Sequence, residues 1–107
     1  MIQVVYHRKF HRLSIEGHAG SGEYGHDIVC SAASILAYTL ANAVLNMSSC
    51  GQVRDPKTEL EPGKGLVSCR TIHKYEAPVT LIFDTICAGF ELLSAQHPEN
   101  ISYEIRG

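Results

Sequence analysis

The chain has 107 residues, with 9 Lys+Arg against 11 Asp+Glu, a formal net charge of -2 and a pI near 6.3. That length suits one domain spanning residues 1–107 around one core and leaves no room for a separate cofactor domain. The charge balance lacks the basic footprint of a protein that grips phosphate backbones, so direct nucleic-acid binding is not expected. The opening Met1-Ile2-Gln3-Val4-Val5-Tyr6 has neither the charged start nor the apolar run of a signal peptide. Four cysteines, at 30, 50, 69 and 87, form no CxxC pair, which suits free thiols in a reducing, cytoplasmic compartment better than a disulfide framework or a zinc site.

In chain order, Ile2 to His7 and Arg12 to Gly17 read as two strands around the basic turn Arg8-Lys9-Phe10-His11. Leu13 and Ile15 share one parity; Ser14, Glu16 and His18 share the other, so His18 points to the polar side or emerges where the pleat stops. Ala19 to His26 reads as a loop by its glycine content. Asp27 to Asn46 predicts a helix, with Ile28, Ala32, Ile35, Leu36, Thr39, Ala43 and Met47 at spacings of three and four and Asp27 as its N-cap. Its apolar stretch is interrupted by Ser34, Thr39, Asn42 and Asn46, the pattern of a core helix and not of a membrane span.

Cys50 to Leu60 and Leu66 to Ile72 predict a second strand pair around the turn Glu61-Pro62-Gly63-Lys64-Gly65. Val79, Ile82, Phe83, Ile86, Phe90 and Leu93 mark a second helix from Ala77 to Gln96, with Pro78 near its start and Pro98 beyond its end. Ile101, Tyr103 and Ile105 alternate with polar residues as a last strand. The order ββαββαβ predicts an α+β fold, a five-stranded sheet carrying two helices.

The segment from Gly17 to Cys30 carries the chemistry. A histidine ends a strand, a cysteine opens a helix, and the eight residues Ala19 to His26, three of them glycine, connect the two elements. Such a connector can fold back and bring imidazole to sulfur, and it can equally span about 28 Å when extended. Gly20-x-Gly22-x-x-Gly25 also matches the dinucleotide fingerprint. The acidic residue that this fingerprint needs about 20 positions on would fall near Leu45, inside a helix, and Glu23 and Asp27 put negative charge where a pyrophosphate must lie. No Lys-Ser/Thr follows the glycines, so a P-loop is excluded as well.

His18, His26, Asp27 and Cys30 could be set around a metal, with His26 and Cys30 spaced to share a helix face. One thiol with no CxxC or HxxxH partner is a poor zinc signature, and neither a metal nor another cofactor is expected.

A free thiol, with a pKa near 8.5, is only a few per cent thiolate at neutral pH. A helix dipole contributes about 0.3 to 1 kcal/mol, less than the roughly 1.4 kcal/mol that a tenfold gain in thiolate requires. A cationic partner is therefore needed, and His18 can supply it while keeping a proton ready for a leaving group. Taken singly, each residue also has a structural reading. A small thiol often only fills space, a strand-end histidine can simply bind a loop carbonyl, Asp27 caps a helix, and Ser34 can bond back to the Cys30 carbonyl. Asp27 could also orient His18. A nucleophile at Cys30 would attack a carbonyl, with backbone N–H groups of Cys30 and the loop holding the oxyanion. Gly20, Gly22 and Gly25 would then give a flexible loop that orders over a bound substrate and brings Tyr24 or His26 near it.

The run GHAGSGEYGHDIVCSAAS, positions 17 to 34, resembles the signature of the ribosomal-processing cysteine protease family, Prp, also called YsxB-like proteins. The length and the ββαββαβ order resemble that family over the whole chain, with Ser31 where alanine is common. The resemblance implies that Cys30 is the nucleophile and His18 its base and acid, with Gly17, Asp27 and Ser34 in support. It implies a homodimer, and a substrate that is the precursor of a bacterial large-subunit ribosomal protein, cut at a hydrophobic, aromatic-rich N-terminal extension. The competing expectation is a non-enzymatic ribosome-assembly or binding factor in which Cys30 is structural or redox-sensing.

Overall fold

Ile2–His7 (β1) and Arg12–Glu16 (β2) form the expected hairpin in the computed structural model, which describes the backbone of residues 1–18 and 24–107 and the side chains of all of these but 24–27. The two strands pair antiparallel from Gln3↔Glu16 to His7↔Arg12, joined by a short 3-10 turn at Arg8–Phe10. The first helix, Tyr24–Ser49 (α1), begins three residues before the predicted start at Asp27 and ends three beyond Asn46. Tyr24, Gly25 and His26, predicted as loop, are thus its first residues, and Asp27 is its fourth residue and not its N-cap. The sequence misleads because only Gly25 opposes a helix there, at about 1 kcal/mol, and an aspartate is favourable anywhere within a first turn.

Cys50 likewise belongs to no strand. The Gly51 N–H donates to the Ser48 carbonyl and the Gln52 N–H to the Met47 carbonyl, at 3.0 and 2.8 Å. With Gly51 at φ +71 this is a Schellman close, so Cys50 caps the helix.

Val53–Glu61 (β3) and Lys64–Thr71 (β4) follow as a hairpin whose tip is only Pro62-Gly63, shorter than the predicted five-residue turn, with Glu61↔Lys64 as the last pair. The ladder slips between Arg54 and Lys57, where Asp55 takes φ +49 and Pro56 has no N–H to donate. Glu76–Gln96 (α2) and Ile101–Arg106 (β5) complete the chain. The sheet order is β3-β4-β2-β1-β5, antiparallel except for β1 against β5, which α2 reaches by crossing over. The order ββαββαβ and the α+β class are those that the sequence predicts.

Both helices cover one face of the sheet, α1 packing on β3 and β4, α2 on β5, and the two on each other. Val4, Tyr6, Leu13, Val67 and Cys69 from the strands meet Val29, Leu40, Val44, Val79, Phe83 and Phe90 from the helices in one buried core. Burying each large apolar side chain is worth about 1.5 to 3 kcal/mol. Both helices are long and apolar enough to cross a membrane by length and composition. Their inner faces nonetheless form the core against the sheet.

A polar clamp pins α2 to β1. The Tyr6 hydroxyl donates to Asp84 Oδ1 at 2.8 Å, and the Arg8 guanidinium donates to both carboxylate oxygens at 3.1 Å. The Arg8 hydrogen bond is the main reason the Asp84 carboxyl is held below its ordinary value.

His11, 5% exposed, shares a 2.6 Å hydrogen bond with Thr80 Oγ1 and meets the Phe83 ring edge-on. Burial pushes its imidazole below the ordinary histidine value. A base held neutral by burial binds fewer protons folded than unfolded. Its stabilising contribution is therefore present above the unfolded pKa of about 6.5 and is lost as pH falls toward the depressed native value. Urea unfolding should show stability declining from about pH 7.5 to about pH 5.5, and His11→Asn, which tolerates the φ of +50 at this position, should flatten the decline.

Candidate active site

The last residue of β2 is Glu16, and the chain turns immediately after it. Gly17 has φ +98, a Cβ there would stand 2.2 Å from the Met1 carbonyl oxygen, and its N–H donates to the Gly63 carbonyl at 2.9 Å. Only glycine fits between the chain start and the β3–β4 hairpin tip. His18 follows at once, past the end of the pleat, and is exposed. The tip has Pro62 followed by Gly63 at φ +79, the pattern of a type II turn.

A cleft of about 360 Å³ opens between this corner and α1, and His18 and Cys30 both line it. Cys30, Ala33, Ser34, Ala37 and Tyr38 bring one face of α1 to it. Ala33 and Ala37 keep that face low, and Ile2, Ile15 and Leu60 supply an apolar floor. Glu61 and Lys64 put one charge of each sign beside the hairpin tip. Cys30 is half-buried and packs against the core, whereas Ser34 is exposed. Among the described residues the Ser34 hydroxyl makes no bond back to the Cys30 carbonyl, unlike Thr39 and Ser49, whose hydroxyls donate to the carbonyls four residues before them.

Gly17, His18, Cys30 and Ser34 therefore share one cleft. Gly20 and Gly22 lie outside the described residues, as do the side chains of Tyr24, His26 and Asp27, and with them the predicted loop closure. Because α1 starts at Tyr24, Cys30 stands in its second turn and not its first. Two consequences follow. The dipole, which fades within the first turn, reaches Cys30 less than a first-turn position would allow, and the Cys30 N–H is committed to the helix ladder and not free for an oxyanion.

The other thiols are set apart. Cys69 and Cys87 are buried, and burial pushes them up to about 11 and about 12, which keeps them protonated. Cys50 is exposed at the far end of α1. Among the described residues no group of three or more His, Cys, Asp or Glu is placed to hold a metal.

The sequence predicts the hairpin tip as a turn but not as part of the site. Pro62-Gly63 reads as a turn, but nothing local says that it faces Gly17. That follows from the β2–β4 register, whose last pair is Glu16↔Lys64.

A thiol and an imidazole line one cleft of an α+β sheet carrying two helices, and these are the two side-chain types that a cysteine hydrolase employs. The family model Cysteine protease Prp matches residues 1–102, and the chain belongs to that family of cysteine proteases. It is 30% identical over 87 residues to the ribosomal processing cysteine protease Prp of Staphylococcus aureus, covering 81% of this chain and 78% of that one. The crystal structure of the S. aureus ribosomal processing protease Prp in complex with a substrate peptide superposes with a TM-score of 0.73 at 26% identity, over 99% of this chain and 100% of that one. The crystal structure of SMU.848 from Streptococcus mutans matches with a TM-score of 0.70 at 28% identity, over 98% and 93% of the two chains.

Proposed function

We propose that this cysteine protease removes the N-terminal extension of a bacterial large-subunit ribosomal protein, with Cys30 as nucleophile and His18 as its base and acid. The observation that carries the reading is the shared cleft, which is lined by one thiol of the four and by an exposed imidazole. The Cys30 thiolate attacks the scissile carbonyl, the C–N bond breaks to leave a thioester, and the His18 imidazolium gives its proton to the departing amine. Water then attacks the thioester while His18 takes its proton, and the acid product leaves with the thiolate–imidazolium pair restored.

Helical side chains lean toward the helix N-terminus, so the Cys30 thiol addresses the first turn of α1. The amides from Tyr24 to His26 have no partner within the helix, and this reading assigns them to the oxyanion. Gly17 shapes the corner that delivers His18. Ser34, one turn below Cys30 and lining the same cleft, would touch the bound peptide, and Asp27, three residues before Cys30 in α1, would support the site.

The names of the S. aureus relatives, which specify ribosomal processing and a substrate peptide, support a ribosomal-protein substrate. The apolar floor of Ile2, Ile15 and Leu60 suits a hydrophobic, aromatic-rich sequence. Buried free thiols at Cys69 and Cys87 favour the reducing cytoplasm. The same reading makes the enzyme a homodimer, because the outer faces of α1 and α2 leave Ile28, Ile35, Leu45, Leu81 and Leu92 exposed.

Incubation with a peptide spanning the extension junction should give cleavage that Cys30→Ala and His18→Ala each reduce by about a thousandfold or more, with thermal melts unchanged. Cleavage by Cys30→Ala at the parent rate would refute the mechanism, and unaltered cleavage by His18→Ala would remove the base. Sedimentation should give twice the chain mass of 11.7 kDa, and the pair Ile35→Glu and Leu92→Glu should return it to that mass. A parent chain that sediments as a monomer would contradict the dimer.

A further inference from the structure

We propose that Gly63, at the tip of the β3–β4 hairpin, is a positioning residue for the His18 imidazole, an inference that rests on His18 being the base of the reaction. Gly63 is 45 residues from His18 in sequence, yet a Cβ built on it would lie 2.7 Å from His18 Nε2, 3.0 Å from Cε1 and 3.6 Å from Cδ2. The ring is seated across the bare α-carbon of the hairpin tip. The same glycine accepts the Gly17 N–H at 2.9 Å, so the tip holds both the backbone immediately before His18 and one edge of its ring.

The two glycines of this corner differ in what a side chain would strike. At Gly17 it would meet backbone, the Met1 carbonyl oxygen at 2.2 Å, and the damage would fall on the fold. At Gly63 it would meet the movable end of an exposed side chain, and the imidazole would be the part to yield. Displacing a catalytic group by about 1 Å can cost about a hundredfold in rate, so the bare tip matters to the reaction more than to stability. Gly63 also sits at φ +79, a conformation that alanine adopts only with strain, and that cost must be separated from the contact.

Gly51 supplies the control. It sits at φ +71 in the α1 close, with nothing within 4 Å of a Cβ, so Gly51→Ala carries the same backbone strain and touches no ring. Gly63→Ala, Gly63→Asn, Gly51→Ala and His18→Ala are compared with the parent by thermal melting and by kcat/KM against pH on the junction peptide. Asparagine tolerates positive φ and keeps the contact, so it reports even if the alanine variant fails to fold. The expected result is a similar small drop in melting temperature for the two alanine variants. Both Gly63 variants should lose about a hundredfold in kcat/KM, with the acidic limb of the profile moved, while Gly51→Ala keeps the parent profile. If His18→Ala is inactive but the Gly63 variants match Gly51→Ala in activity and profile, the positioning role is overturned and the base stands. If His18→Ala is fully active, the base and the positioning role fall together.

Discussion

The close approach of three backbone segments at Gly17 is the constraint on which the site depends. Its N–H is bound to the Gly63 carbonyl, a Cβ would meet the Met1 carbonyl, and its φ of +98 turns the chain out of the pleat. Without that turn the next side chain would continue the alternation of β2 and fall with Ser14 and Glu16 on the face away from the helices. With it, His18 leaves the strand at the mouth of a cleft whose opposite wall is α1. One hydrogen bond of this kind is worth only about 0.5 to 1.5 kcal/mol, so its effect is geometric and is sustained by the ladder on either side.

The cleft exists because α1 lies across β3 and β4 with small residues facing it. Ala33 and Ala37 are buried at the spacing of one helical turn, and Leu40, Val44 and Met47 continue the same helix into the core. α2, clamped to β1 through Phe83 and the Asp84 carboxylate, buttresses α1 from the side away from the site. Gly89 stands where a Cβ would lie 2.7 Å from Leu36, a measure of how closely the two helices pack. Stability and chemistry are thereby divided. The large apolar residues, Val29 among them, secure α1, and the residues it turns to the cleft include the small Cys30, Ala33, Ser34 and Ala37.

Much of this is legible in the sequence because it is local. Period-two alternation in Ile2 to His7, helical spacing in Val79 to Leu93 and the glycine punctuation give the order of elements and the α+β class, and the Gly-His and Cys-containing segments give the thiol and the imidazole that line the cleft. What the sequence misplaces is also local but ambiguous. Asp27 reads as a cap because caps and first turns favour the same residue, and Cys50 reads as strand because the Schellman close at Gly51 depends on hydrogen bonds and not on composition. What it cannot show is the meeting of Gly63 with His18, because that depends on pairing across the sheet between segments far apart in the chain.

The proposed chemistry requires His18 and Cys30 to act as one unit within the cleft. The most direct test is the rate of iodoacetamide alkylation at Cys30, followed by mass spectrometry from about pH 5 to about pH 10 in the parent and in His18→Ala. The account predicts a parent rate that persists well below the range of ordinary thiols, and a His18→Ala rate that rises only near about pH 8.5, where free cysteine ionises. Superimposable rate profiles for the two proteins would contradict it.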